Sequence, residues 1–482
     1  MTQMHLDDAV WLYMESGGES MQVTLMSVYE PGPHGPLSRE ELERHVAERV
    51  VARVPRFRQR LKELPLHADF PYWVDDPSFS VARHVRTRTV EAPGDWRAVL
   101  ATASDVQAEP LDRRRPLWDV TLLTGIDHAD GLPAGSFAVA CRFHHAMVDG
   151  KSVMEVVSLL HDATAEADTA APSRVPVPRP VPGPTTAAIT YRAAAHAVTR
   201  PLDMLVGIIG SLPAIGSELL ARRALPTLSG RSAPRTRFNC APGPRRGIGL
   251  VGFELDRVRA VRSLAAGSTL NDVALAIVAG ALRAYLDDLG ELPREPLVTA
   301  CPISVRRDQP GAPALGNQVS AMLVSLCTDI ADPVERLTAI AAATREAKVT
   351  RDAVGAKVLT DLNRNLTAAA TVASARLALL AANRISLINT ITSNVPGSQR
   401  PIYFAGRRLR ANIPVVALGA GVGLIHIVTS YDGTFQINFV VDAEAMPDHE
   451  RYEEFLRAAL HDLEVCVAEL PPRAPDPDVA SR

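Results

Sequence analysis

RFHHAMVDGKS, residues 142–152, sets two histidines side by side, with His145 four residues before Asp149. Histidine titrates near neutral pH, so an imidazole held against a bound hydroxyl can take its proton. To do so it needs a second group that fixes its tautomer and ring orientation. Upstream, Ser136 to Phe143 reads SFAVACRF and follows Gly131, Pro133 and Gly135, the pattern of a buried strand after a turn. Strand alternation puts Phe137, Val139, Cys141, Phe143 and His145 on one face, and Ala138, Ala140, Arg142 and His144 on the other. The two histidines therefore have different jobs. His145 is the candidate base, and His144 a supporting group bonded within the core. Asp149 could orient the base or lock the loop through an arginine, while Gly150 lets the backbone come close to a ligand or the next element.

Other chemistries lack their residues. No G-x-S-x-G elbow occurs. Gly150-Lys151-Ser152 resembles the end of a phosphate-binding loop, but His145 stands where its first glycine belongs. GAGVG, Gly419 to Gly423, has Leu424 in place of the third glycine of a dinucleotide fingerprint. A metal on His145 and Asp149 would need a helix and a third ligand, so no metal is expected. Cys141 reads as a small core residue, and Trp118 of Pro116-Leu117-Trp118 as an aromatic anchor of a strand.

The elements that position these groups are legible in outline. A chain of 482 residues exceeds one ordinary core, and two domains are expected. Its charged fraction of 22% is that of a globular protein, and a net charge of −3 offers no basic excess for nucleic acid. Five scattered cysteines without C-x-x-C spacing point to reduced thiols and a cytoplasmic setting. Asp7, Asp8 and Glu15 argue against a signal peptide at the N-terminus. Asn412, Pro414, His426 and three glycines break the apolar stretch from Ala411 to Val428 as a membrane span.

Pro172 to Pro184 reads as a stiff proline-rich spacer. Residues 185–225 read as an amphipathic helical connector with Arg192, His196 and Arg200 on one face. It either packs on protein or lies on an anionic lipid surface. Thr269 and Asp272 mark the capped start of a helix that ends at Gly290. Pro296 to Val305 reads as a strand, and another amphipathic helix starts near Asp448. The fold class is α/β (α+β).

HHAMVDG resembles the H-H-x-x-x-D-G signature of acyltransferases with a chloramphenicol-acetyltransferase-like fold. Further motifs are VPRFRQRL (Val54 to Leu61), PLDRRRPLW (Pro110 to Trp118), PRTRFN (Pro234 to Asn239) and STLNDVALA (Ser268 to Ala276). PISVR (Pro302 to Arg306), GNQVS (Gly316 to Ser320) and SNVPG (Ser393 to Gly397) complete the set. From Leu6 to about Asp448 the chain thereby resembles the bacterial wax ester synthase/diacylglycerol acyltransferase family.

That resemblance implies two subdomains, each a mixed sheet flanked by helices, with a tunnel between them. The expected division is 1–171, carrying HHAMVDG; a linker and connector over 172–236; a second subdomain over 237–472; and a tail over 473–482. His145 would be the general base that activates a hydroxyl for direct attack on an acyl-CoA thioester, without an acyl-enzyme. Acyl-CoA is then a co-substrate and no cofactor is expected. The product would be triacylglycerol from diacylglycerol, a wax ester from a fatty alcohol, or both. Asp149 would be structural and paired with Arg306. Asn271 and Asn394 become candidates for holding the oxyanion, against helix capping for Asn271 and a turn role for Asn394. Pro116, Leu117 and Trp118 would lie near the acyl channel, and lipid contact would be peripheral, on an inner membrane or droplet. Two departures bear on the acceptor pocket: Ser398 stands where proline is common, and His426 where asparagine is. Two further readings stay open: acyl transfer from a carrier-bound donor in polyketide-lipid or peptide assembly, and a non-catalytic droplet-binding protein.

Overall fold

A computed structural model describes residues 1–15, 20–32, 35–148, 150–166, 178, 180–197, 199, 233–304, 319–353, 367–382, 384 and 386–469. Two six-stranded mixed sheets organise them. The N-terminal sheet runs in the order Tyr403–Phe404, Arg407–Val416, Gln22–Tyr29, Ser136–His144, Trp118–Ile126 and Val85–Thr89. The C-terminal sheet runs Val319–Ser325, Val298–Ser304, Thr390–Pro396, Leu424–Tyr431, Thr434–Asp442 and Arg246–Glu254. A small third sheet joins Thr2–Gln3, Tyr72–Asp75 and Gln59–Lys62. Residues 403–416 thus leave the C-terminal half to complete the N-terminal sheet, so the stretch 237–472 supplies strands to both sheets.

Local sequence explains the elements. Leu424–Tyr431 and Thr434–Asp442 form a hairpin across Asp432-Gly433, both at positive φ (46° and 78°), as the favoured two-residue turn requires. Thr269 caps the helix Leu270–Asp288 in a capping box with Asp272, satisfying amides that the first turn leaves open. That helix stops where Gly290 takes φ 67°.

Three apolar clusters hold the layers. One lies between the C-terminal sheet and the helices Leu270–Asp288, Leu255–Val261 and His449–Ala468, through residues such as Ile277, Leu282, Tyr452 and Leu456. The second covers the outer face of the N-terminal sheet with the helices Leu6–Tyr13, Arg39–Val46 and Gly150–Leu160. The third joins the sheets: Ala138, Ala140, Ile413 and Val415 meet Ile425, Ile427 and Val440 beside the helix Trp96–Ala108. Burial of this kind contributes about 25 cal/mol per Å² of apolar surface.

The expected connector is a helix over 186–197, and it packs on protein there. Ile189 and Ala193 are buried with Leu64, Tyr72 and Val74, and His196 Nδ1 lies 2.7 Å from Asp69 Oδ2. The rest of the connector, with Arg200, and the tail after Arg473 lie outside the described residues.

His426 is not a pocket residue, contrary to what its departure from the family pattern suggested. It is fully buried beneath the helix His449–Ala468. Thr390 Oγ1 donates to the Leu424 carbonyl (2.9 Å) and accepts from His426 Nδ1 (3.1 Å), while Tyr452 donates its hydroxyl to His426 Nε2 (3.0 Å). His161 is built the same way, donating Nδ1–H to the Val157 carbonyl (2.7 Å) and accepting from Tyr29 (2.8 Å). Burial pushes His426 down to about 3 and His161 down to about 4.

Both histidines are therefore neutral when folded but protonate near 6.5 when unfolded. Below pH 6.5 the unfolded chain binds more protons, so stability present above that pH is lost as pH falls toward 4. The expected slope is roughly 1.4 kcal/mol per pH unit for each histidine. Urea unfolding at pH 7.0, 6.0 and 5.0 measures it, and a flat profile contradicts the neutral assignment.

Candidate active site

Ser136–His144 is buried along its whole length. Its alternation holds: Phe137, Val139, Cys141 and Phe143 enter the outer core, and Ala138 and Ala140 the inter-sheet core. On the second face, Arg142 is completely buried. It pairs in a fork with Asp119 (Nε–Oδ1 2.7 Å, Nη2–Oδ2 2.5 Å) and donates to the carbonyls of Val106 and Glu109. Desolvating an arginine is costly unless its donors are met, and here the Nη1 bonds to the two carbonyls also tie the end of the helix Trp96–Ala108 to the strand. Sequence reasoning placed Arg142 on a face but missed its partner. The available signal was a cation inside an apolar strand.

His144 ends the strand, its amide donating to the Leu117 carbonyl (3.0 Å). Its Nδ1 accepts from the Ala146 amide (3.0 Å), so the proton sits on Nε2, which donates to Glu15 Oε1 (2.8 Å). Glu15 also accepts from Ser20 Oγ (3.1 Å) and the Met21 amide (3.0 Å). Burial works to raise the Glu15 carboxyl. The hydrogen bond from His144, the charge of Arg113 and the Met21 amide work against it, leaving the group below the ordinary carboxylate range.

His145 begins a turn, its amide donating to the Met21 carbonyl (2.7 Å). Its imidazole stacks on Trp11, with centroids 3.7 Å apart and planes 9° from parallel. Trp11 rides on the helix Leu6–Tyr13, whose Leu6, Ala9 and Leu12 are buried. The stack fixes the orientation of the imidazole ring, and an indole face is a surface that attracts cations. Neither Trp11 nor Glu15 was singled out from sequence as a site residue, because contacts this distant leave no spacing signal.

Asp149 and Arg306 lie outside the described residues, and Gly150 opens the helix Gly150–Leu160. Pro116, Leu117 and Trp118 are buried. Trp118 donates Nε1–H to the Phe57 carbonyl (2.8 Å) and stacks on His84 at 4.5 Å, so it anchors the strand, while Leu117 supports His144. Cys141 and Cys301 are pushed up to about 12 by burial, with Asp119 and Asp272 adding to it respectively. Neither thiol is a nucleophile at neutral pH.

Asn271 and Asn394 come together, with Asn394 Nδ2 3.4 Å from Asn271 Oδ1. Thr269, not Asn271, caps the helix, and Asn394 lies in the strand Thr390–Pro396 rather than in a turn. Both line a cavity of ≈ 590 Å³ that includes Cys301, Met322 and Phe435. Ser398 is not among the lining residues; its hydroxyl donates to the Arg400 carbonyl (2.7 Å). Among the described residues no hydrogen bond joins the asparagines to His144 or His145. Among those residues, too, no cluster of three His, Cys, Asp or Glu side chains could hold a metal, and no helix is long and apolar enough to cross a membrane.

Comparison with known proteins defines the class. Residues 4–274 match the wax ester synthase/diacylglycerol acyltransferase catalytic domain, and residues 315–464 match the C-terminal domain of the same family. Two Mycobacterium tuberculosis proteins with provisional names as diacylglycerol O-acyltransferases are similar across nearly the whole chain. One is 31% identical (96% of this chain, 90% of that one) and the other 33% (95% and 99%). The wax ester synthase/diacylglycerol acyltransferase of Marinobacter aquaeolei VT8 superposes with a TM-score of 0.69 at 25% identity, covering 97% and 100% of the chains. The first condensation domain of the CDA synthetase shares the fold at 17% identity (TM-score 0.54, covering 98% and 99%). The chain belongs to the wax ester synthase/diacylglycerol acyltransferase family. It is an acyl-CoA-dependent O-acyltransferase.

Replacing Trp11 by Leu is expected to lower kcat about ten-fold, on the order of 1.4 kcal/mol, while Trp11→Phe keeps most of the rate. Thiol release from palmitoyl-CoA measures it, and equal rates for all three proteins reduce the stack to packing. Arg142→Met leaves the buried Asp119 with only the half-exposed Arg86 as an ion-pair partner (Nη2–Oδ2 3.2 Å) and is expected to cost about 3 kcal/mol in urea unfolding. Adding Asp119→Leu should recover much of that loss.

Proposed function

We propose that this enzyme transfers a long acyl chain from acyl-CoA to the free hydroxyl of diacylglycerol, with long-chain alcohols as secondary acceptors. The products are triacylglycerol and, to a lesser extent, wax esters. The stacked imidazole of His145, beside a His144 whose tautomer is locked, is the observation that carries this reading. His145 takes the acceptor's proton as its oxygen attacks the thioester carbon. The oxyanion collapses, the C–S bond breaks, and the imidazolium returns its proton to the departing CoA thiolate. Asn271 and Asn394 supply amide donors to the oxyanion. The family resemblance assigns Asp149 and Arg306 a structural pairing, and both lie outside the described residues. The preference for diacylglycerol is favoured by the names of the mycobacterial relatives; the Marinobacter relative's name carries both activities. The acceptor is met at a membrane or droplet surface.

The test is thiol release from palmitoyl-CoA with diacylglycerol, with hexadecanol and with no acceptor, for wild type and His145→Ala. Acceptor-dependent release, faster with diacylglycerol and reduced about 10²–10⁴-fold in the variant, is expected. If wild type releases no thiol with either acceptor, the storage-lipid reading fails and carrier-bound donors come next.

A further inference from the structure

The helix Ala368–Ala382 carries apolar residues on every side. One face, with Ala368, Val372 and Ala375, is buried against the helix Leu6–Tyr13, whose Trp11 stacks on His145. The other face is bare: Leu377 is 66% exposed and Leu380 62%, with Ala373 and Ala381 exposed beside them. A helix with this all-round pattern suits an interior or a lipid phase. Its 15 residues span about 22 Å, too short to cross a bilayer. The turn Pro65–His67 abuts the same helix, and its Leu66 is 94% exposed while held at φ 55°. Leucine is disfavoured in that left-handed region, so the tertiary setting must keep it there. Tyr13 helps to do so, meeting the His67 ring edge-on at 5.2 Å. Charge around the helical leucines has one sign. Between Thr367 and Asn389 the charged residues are Arg376 and Arg384, both exposed. Neither has a carboxylate partner among the described residues.

We propose that this surface docks the enzyme on an anionic phospholipid layer, with Leu377, Leu380 and Leu66 entering the acyl boundary and Arg376 and Arg384 meeting lipid phosphates. This rests on the reading above, in which the acceptor is met at a lipid surface, and names the part of the chain that meets it. Each leucine that enters the boundary leaves water, which is favourable. Arginines at the rim reach the head groups through their apolar stems. The connector helix over 186–197 offers its apolar residues to protein instead, Ile189 and Ala193 being buried with Leu64, Tyr72 and Val74. Docking here sets the layer against a helix whose inner neighbour carries Trp11, the ring on which His145 rests.

Flotation of the full chain with vesicles tests this, using phosphatidylcholine alone and phosphatidylcholine mixed with phosphatidylglycerol. The double variant Leu377→Gln/Leu380→Gln is expected to bind both kinds of vesicle about ten-fold less than wild type. Arg376→Gln/Arg384→Gln should lose only the extra binding that phosphatidylglycerol brings. Leu66→Gly should also bind less, yet lose nothing in urea unfolding, since glycine adopts φ 55° without strain. Thiol release with diacylglycerol presented in vesicles should fall along with binding in the leucine variants, and release with a short, water-soluble alcohol should stay at the wild-type rate. Wild type that does not float, or equal flotation of wild type and the double leucine variant, overturns the proposal. A wild-type dimer in sedimentation equilibrium that the double leucine variant breaks into monomers overturns it too, giving the face to a second copy of the chain. Because flotation needs no turnover, it stands apart from a failure of the acyl-transfer reading, which shows as absent thiol release in wild type.

Discussion

The strand Arg407–Val416 runs antiparallel beside Gln22–Tyr29, with Ala411 opposite Val28 and Val416 opposite Val23. It belongs by sequence to the C-terminal half and by hydrogen bonding to the N-terminal sheet. Without it, Gln22–Tyr29 would present a bare edge, a row of amides and carbonyls that must find partners elsewhere. Ile413 and Val415 fill the core between the sheets, so the same strand supplies both the ladder and the glue. Tyr431 completes the lock. Its hydroxyl donates to the Leu409 carbonyl (3.0 Å) and accepts from the Ile402 amide (3.1 Å). Ser430, one residue earlier, lines the cavity of the asparagine pair. The histidine-bearing sheet and the cavity are thereby held in one frame, although among the described residues no hydrogen bond joins His144 to the asparagine pair.

Within that frame, rigidity at the histidines comes from polar groups whose bonds are met. Arg142, two residues before His144, spends its guanidinium on Asp119 and two carbonyls. Gln107 donates to the Gln22 carbonyl (2.9 Å) and accepts from Thr24 (2.5 Å), stitching the helix Trp96–Ala108 to the neighbouring strand. Leaving any one of these groups unpaired in the interior would cost more than the bond itself is worth. The register of Ser136–His144 is specified accordingly, since a one-residue slip would bury His145 where Ala140 and Arg142 now point.

What could be read from the sequence follows from how local the cause is. The alternation of Ser136–His144 and the Thr269 capping box depend on residues within a few positions of one another. Each stood in the pattern of residue types. The order of motifs carried the family and the fold class. The crossover of Arg407–Val416 depends instead on an edge offered nearly 400 residues away, and no local periodicity announces it. The same holds for Glu15 on His144, Trp11 on His145 and Tyr452 on His426. The histidine at 426 looked like a pocket residue because its type departs from a pattern. Burial and two hydrogen bonds make it core, a property of the helix packed over it rather than of its neighbours in sequence.

The adjacency of the two histidines then has a physical reason. A strand end can present two imidazoles to opposite environments at no cost in chain length. One is spent: His144 accepts from the Ala146 amide and donates to Glu15, so both of its nitrogens are committed. That commitment fixes the backbone from which the next residue leaves the strand. The other differs in its setting: the face of His145 lies against Trp11. Stacking of this kind restrains the orientation of a ring without replacing its nitrogens. With Cys141 and Cys301 held as neutral thiols by burial, neither supplies a nucleophile at neutral pH. The proposed direct transfer, with a base acting on an external hydroxyl, asks for none.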